Sequence, residues 1–195
     1  MPEYFDSNRI SGTLGASAKS VLIAPQAFFS DMPSTDGYRN SLVFLTIVFV
    51  VLSLGISMMT SLVLLPAILP VALLFGFIAT WMWAWYLGWA CRVFCKAELS
   101  TQNAFQLCAY SSIPLVFGLL PVAGVIASLW NLYLNWQGLV SYARIGGGSA
   151  MLIIVLPLIV LGISMAVLVV LLGILMVQMG IDPAQLMNTG NAELF

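Results

Sequence analysis

NSLVFLTIVFVVLSLGISMMTSLVLLPAILPVALLFGFIATWMWAWYLGWAC, residues 40–91, contains no charged side chain. A bilayer crossing takes about 20 apolar residues, so this stretch holds two crossings with a turn between them. Residues 99–143 and 145–181 are also free of charge. The former is long enough for a second hairpin. The latter opens on three glycines, Gly146 to Gly148, which leaves one long helix. The whole chain of 195 residues is 62% hydrophobic and 7% charged, with mean hydropathy +1.07. Soluble domains carry about a quarter charged residues. The expected class is therefore an all-α membrane protein, a bundle of five transmembrane helices.

The basic residues orient the bundle. Arg9, Lys19, Arg39, Arg92, Lys96 and Arg144 are all the Lys and Arg present, and five crossings put every one of them on the same side. Short loops retained in the cytoplasm keep Lys and Arg, so the N-terminus is expected there and the C-terminus outside. The first 40 residues contain no apolar run with a small-residue cleavage site, and the first crossing serves as the insertion signal. The expected crossings are residues 41–60, 64–90, 104–120, 122–143 and 150–179. A cytoplasmic amphipathic segment, 1–40, precedes them and an outside tail, 180–195, follows, in which Asp182 and Pro183 suit a helix start. In the N-terminal segment Val21, Leu22, Ile23, Phe28, Phe29 and Met32 cluster around Pro25, to lie at the headgroups or to pack under the bundle. Charge parity leaves one alternative open, because a re-entrant pair at 104–120 and 122–143 keeps every basic residue in place.

The chemistry available is sparse. The chain has no His, and its carboxylates, Glu3, Asp6, Asp31, Asp36, Glu98, Asp182 and Glu193, all fall outside the expected crossings. An intramembrane acid pair or proton relay is thereby excluded. The net charge of -1 is uninformative about nucleic acid, but the chain has no basic stripe of the kind phosphate binding needs, and no nucleic-acid partner is expected. Gly162-Ile163-Ser164-Met165-Ala166 bears a faint likeness to a serine nucleophile motif, but without a basic partner its small residues read as a place for close helix approach. Cys91, Cys95 and Cys108 lie near the cytoplasmic ends of crossings, where thiols stay reduced. They are weak candidates for a soft metal or for acylation, and no cofactor is expected. The methionines read as packing.

Two uncharged features stand out. Asn131, Asn135, Gly138 and Tyr142 share one face of the fourth crossing, with Gln137 and Ser128 nearby. Amides in hydrocarbon need partners, so this face is expected to hydrogen-bond between helices or subunits, or to line a pore or ligand site. Trp81, Trp85 and Trp89 repeat along the second crossing. Trp89 fits an interfacial belt. Trp81 lies deeper along the helix than a belt residue does. Packing against a partner helix is the leading expectation for it, a stacking wall for a lipid or ligand the other.

The order of several short motifs resembles the Yip (Ypt-interacting protein) family. These are Pro25-Gln26-Ala27-Phe28-Phe29 in the N-terminal segment, Tyr110-Ser111-Ser112-Ile113-Pro114-Leu115 entering the third crossing, Pro121-Val122-Ala123-Gly124 at the hairpin, and Trp130 to Gly138-Leu139 in the fourth. The resemblance implies a five-span fold with a cytoplasmic N-terminus and brings no catalytic residues. The N-terminal segment is shorter than that of the Rab-binding eukaryotic members, which makes the chain similar to a bacterial member. The expected protein is non-enzymatic and sits in the bacterial inner membrane. It is expected to act through membrane lipids, as a homo-oligomer, or through another membrane protein. The competing expectation is an oligomeric channel or small-solute transporter with a polar path along the fourth crossing.

Overall fold

The computed structural model describes residues 4–34, 37–59, 61–119 and 121–179. Seven α-helices are assigned among them: α1 (Ile10–Ile23), α2 (Pro25–Ser30), α3 (Arg39–Met59), α4 (Leu65–Cys95), α5 (Thr101–Ser111), α6 (Pro121–Ser141) and α7 (Gly147–Gln178). Two 3-10 segments, Leu62–Leu64 and Ile113–Leu119, precede α4 and α6. No strand occurs among the described residues. The expected tail at 180–195, with Asp182, Pro183 and Glu193, lies outside them, as does Asp36.

Three stretches are long and apolar enough to cross a bilayer: Arg39–Met59, Leu62–Cys95 and Gly147–Leu175. They match the expected first, second and fifth crossings to within a few residues. The second runs on to Cys95 rather than stopping at residue 90. Pro66 sits in its first turn, whereas Pro70 is inside the helix and costs it one backbone bond. α3 and α4 form an antiparallel hairpin around Leu62–Leu64. The ring of Phe49 lies against Gly76, where no Cβ fits beside the ring as placed, and its centroid is 6.1 Å from that of Phe77.

The expected third crossing, 104–120, is not one helix. α5 ends at Ser111, because Pro114 cannot donate a helical bond and disfavours helical geometry at Ile113. The Ser112 hydroxyl turns back on Ala109 O at 2.6 Å, Leu115 N bonds Ser112 O at 3.0 Å, and the chain goes on as the 3-10 segment Ile113–Leu119. Where that segment meets α6, Gly118 and Gly124 pack closely. A Cβ on Gly124 would stand 3.0 Å from Gly118 O. α6 matches the expected fourth crossing in length but is less apolar than the three above, because Asn131, Asn135 and Gln137 interrupt it.

By contacts the chain divides into two units, Met1–Ile154 and Val155–Phe195. In the first, α5 is the centre. Each residue from Ala104 to Ser111 is buried, and the helix is started by Ser100, whose hydroxyl accepts from Asn103 N at 3.2 Å. Tyr110 anchors an aromatic cluster, with ring centroids 5.0 Å from Phe28 and 4.9 Å from Phe44. The N-terminal segment therefore packs on the bundle. Phe5 N donates to Tyr110 Oη at 3.2 Å and Tyr4 Oη to Phe28 O at 3.0 Å, while Phe28 and Phe29 are fully buried. In the second unit, the α7 residues Leu158 to Leu172 are exposed on every face. Such a helix belongs in lipid.

Candidate functional site

The end of α5 creates a need that α6 meets. Stopping at Ser111 leaves its carbonyl without the helical donor it would otherwise receive. Asn131 Nδ2 supplies a bond to Ser111 O at 2.8 Å. One turn on, Asn135 Nδ2 donates to Asn131 O at 2.8 Å and lies 3.3 Å from Asn131 Oδ1. Asn135 Oδ1 accepts from Trp83 Nε1 at 3.3 Å and from Cys108 Sγ at 3.7 Å. Asn135 is only 2% exposed. The two amides thus tie α4, α5 and α6 together, and a low dielectric strengthens each bond. Gly138 continues the same face. A Cβ there would stand 2.6 Å from Leu107 Cδ1, so glycine lets α6 lie directly on α5.

The other expected residues of this face are placed separately. Gln137 is buried and donates to Ser141 Oγ at 2.9 Å. Tyr142 is partly buried against the core. Ser128 is exposed and bonds back to Gly124 O at 2.9 Å. Ser164 does the same to Val160 O at 2.8 Å, and Gly162 has nothing near its missing Cβ.

The aromatic stripe of α4 lies on the outer side of the first unit. Trp81, Trp85 and Trp89 are 52%, 57% and 46% exposed. The face of α4 turned inward is built on small residues, Ala84, Gly88, Ala90 and Cys91, with Leu87. Trp83 and Tyr86 flank it and make the polar contacts that the sequence reading missed. Trp83 reaches Asn135, and Tyr86 Oη donates to Ile153 O at 2.7 Å. Tyr86 also lies near the stripe, 6.1 Å from Trp89 by ring centroids. The small residues at Ala84, Gly88 and Cys91 were the available signal for that inward face.

The three thiols are free, Cys91 and Cys108 being buried and Cys95 half-buried. Among the described residues no three Cys, Asp, Glu or His side chains form a group that would hold a metal. Cys108 serves Asn135 instead.

Beside the tryptophan stripe, an open hollow of about 360 Å³ is lined by Tyr38, Leu42, Phe77, Ile78, Trp81 and Phe105. Tyr38 and Phe105 meet edge to face, 5.5 Å apart by ring centroid.

An all-helical fold with long, apolar, lipid-exposed helices and a core held by buried amides is that of an integral membrane protein. Residues 19–178 match the family model described as the Yip1 domain, and the chain belongs to that family. No curated protein and no solved structure shows significant similarity to it.

Proposed function

We propose that the protein is a non-enzymatic, multi-pass Yip-family protein of the bacterial inner membrane. It works through contacts made within the bilayer, with a second copy, with lipid or with another membrane protein. Its N-terminus is cytoplasmic and its C-terminus outside, across five crossings. The distribution of the six basic residues supports this topology. So does length: α5 and the following 3-10 segment, end to end, reach about 30 Å, enough for one crossing, and α6 returns from Gly118 and Gly124.

One observation carries the functional reading. The polar side chains at depth, Asn131 and Asn135, bond within the fold, while the large surfaces left open are apolar. A water path along α6 would need those amides to face it. Open apolar surface with no acid, base or metal group suits binding and assembly, and the Yip family is not a known enzyme family.

Reconstitution into liposomes tests this. The protein is expected to leave ion and small-solute leak at the level of empty liposomes while chemical cross-linking captures its contacts. Flux that disappears in the double variant Asn131→Leu, Asn135→Leu, in protein that still assembles, would establish a transporter instead.

A further inference from the structure

The segment before α3 meets the first unit at three successive depths. At the start of α3, Ser7 N donates to Asn40 Oδ1 at 3.2 Å and Arg39 reaches Asn8 Oδ1 at 3.5 Å. One turn further in, the Phe5 ring stands 5.3 Å from that of Phe44, and Phe28 lies against Tyr110 in the last turn of α5. Deeper still, Leu22 joins Pro114, Phe117, Ala127 and Trp130 around an apolar hollow of about 270 Å³. Pro114 and Phe117 come after the end of α5. Trp130 comes eleven residues before Ser141, the end of α6, about 16 Å along the helix. One leaflet of hydrocarbon is about 15 Å thick, half of the ~30 Å core.

We infer that α1 and α2 form a re-entrant hairpin set in the cytoplasmic leaflet, a wedge through which the protein senses curvature and favours membrane bent with that leaflet outermost. The inference rests on the orientation and membrane-contact function proposed above and says what shape of bilayer those contacts select. α1 has 14 residues and spans about 20 Å, enough to carry the chain from Asn8 down to Leu22. Pro25 then starts α2, which returns Phe28 to the level of Tyr110. Charge placement agrees with this path. Asp6 and Arg9 stand at the entry and Asp31 at the exit, and between Arg9 and Asp31 the only charged residue is Lys19. Lys19 is exposed one turn above the tip, where its long stem lets the ammonium rise to the headgroups. At the tip itself Ile23 is 70% exposed, an apolar side chain turned to lipid.

The hairpin makes the two halves of the first unit unequal. The cytoplasmic half contains α1 to α6, whereas the outer half contains α3, α4, α6 and the 3-10 segment Ile113–Leu119. With a helix diameter of about 10 Å, the two additional helices occupy about 160 Å² more of the cytoplasmic leaflet. A helix that crosses fully, as α7 does in the proposed topology, adds equal area to both leaflets. Bending the membrane so that the cytoplasmic leaflet expands relieves this mismatch, which is why segments set in one leaflet respond to curvature.

Two measurements on the full chain in lipid test the wedge. A fluorophore on a single Cys at Ile23, in a background lacking Cys91, Cys95 and Cys108, is expected to be quenched more by a nitroxide at mid-acyl chain than by one on the headgroup. The same probe at Ser34 should show the reverse order. On narrow tubes pulled from giant vesicles, protein inserted with its cytoplasmic side outermost should be enriched over the parent vesicle, and protein inserted the other way depleted. Ile23→Glu puts a charge at the tip and should reduce the enrichment with helical content unchanged. Where that variant folds poorly, the two orientations of the wild type make the comparison without a mutation.

An Ile23 probe quenched better from the headgroup would overturn the inference. So would equal sorting of the two orientations, or enrichment that a folded Ile23→Glu variant leaves unmoved. Protein that is silent in flux yet indifferent to curvature loses only the wedge and keeps the proposed function. Flux abolished by the asparagine variants overturns the function itself.

Discussion

α5 and the distal part of α7 are opposites. α5 has 11 residues, among them Gln102, Asn103, Gln106 and Ser111, and from Ala104 to Ser111 it is buried throughout. Leu158 to Leu172 of α7 consists almost wholly of aliphatic residues, and none of them is buried. A water-soluble fold would reverse the two. In a bilayer the solvent is as apolar as leucine, so leucine gains little by leaving it, whereas an unpaired amide or a broken helix end must be enclosed by protein. An unbroken aliphatic run in this chain marks what touches lipid, while the buried core combines apolar packing with the polar groups that bond helix to helix.

Truncating a leucine on each helix should break the symmetry most visibly. Leu107, fully buried against Gly138, is expected to lose about 3 kcal/mol on change to Ala. Leu168→Ala, on the exposed helix, should stay within about 0.5 kcal/mol. Detergent unfolding curves measure both, and equal losses would refute the contrast.

The amides come next. Asn135→Leu leaves Trp83 Nε1 and Cys108 Sγ without their acceptor and should cost about 2 kcal/mol, Asn131→Leu about 1 kcal/mol, in the same assay. Each change makes the helix more hydrophobic, so a gain in stability would show that the bonds contribute nothing.

A smaller effect of opposite sign is expected at the exit of α4. Lys96 caps the helix at φ 53, a left-handed geometry that favours glycine, with Ala97 N bonded to Cys91 O at 3.2 Å. Lys96→Gly should stabilise by about 0.5–1 kcal/mol. A loss would mean that the lysine charge matters more than its backbone.

The most local effect is a pH response of the N-terminal segment. Burial first, then the nearby Asp31 carboxylate and Tyr110, push the Tyr4 phenol up to about 12 from its ordinary value of 10.0. The docked segment thus favours the protonated phenol. That contribution is complete below pH 10 and is lost as the pH rises toward 12. Protease cutting near Ala24 should increase over that interval in the wild type and much less in Tyr4→Phe.

The same contrast explains which features were legible in the sequence. α3, α4 and α7 were visible as charge-free runs because lipid contact demands apolar residues in series. Pro114 is where the third segment breaks, but a proline inside an expected crossing did not say that the helix would stop at Ser111, nor that the Ser111 carbonyl would be met from twenty residues away. The Asn131 and Asn135 face was apparent from spacing, while its partners were not. The three exposed tryptophans drew attention on α4, although its contacts run through small residues and through Trp83 and Tyr86. Burial of α5 on all sides is a tertiary outcome that its own composition does not state.

The amides of α6 face protein rather than water. Single Cys probes at Asn135 and at Gly147, in a background lacking Cys91, Cys95 and Cys108, test it with a charged, water-borne thiol reagent applied from each side of the membrane. Labelling is expected at Gly147 from the cytoplasmic side and at Asn135 from neither. Labelling at Asn135 as rapid as at Gly147 would contradict it and reveal a water-filled path where the structure places a hydrogen-bonded core.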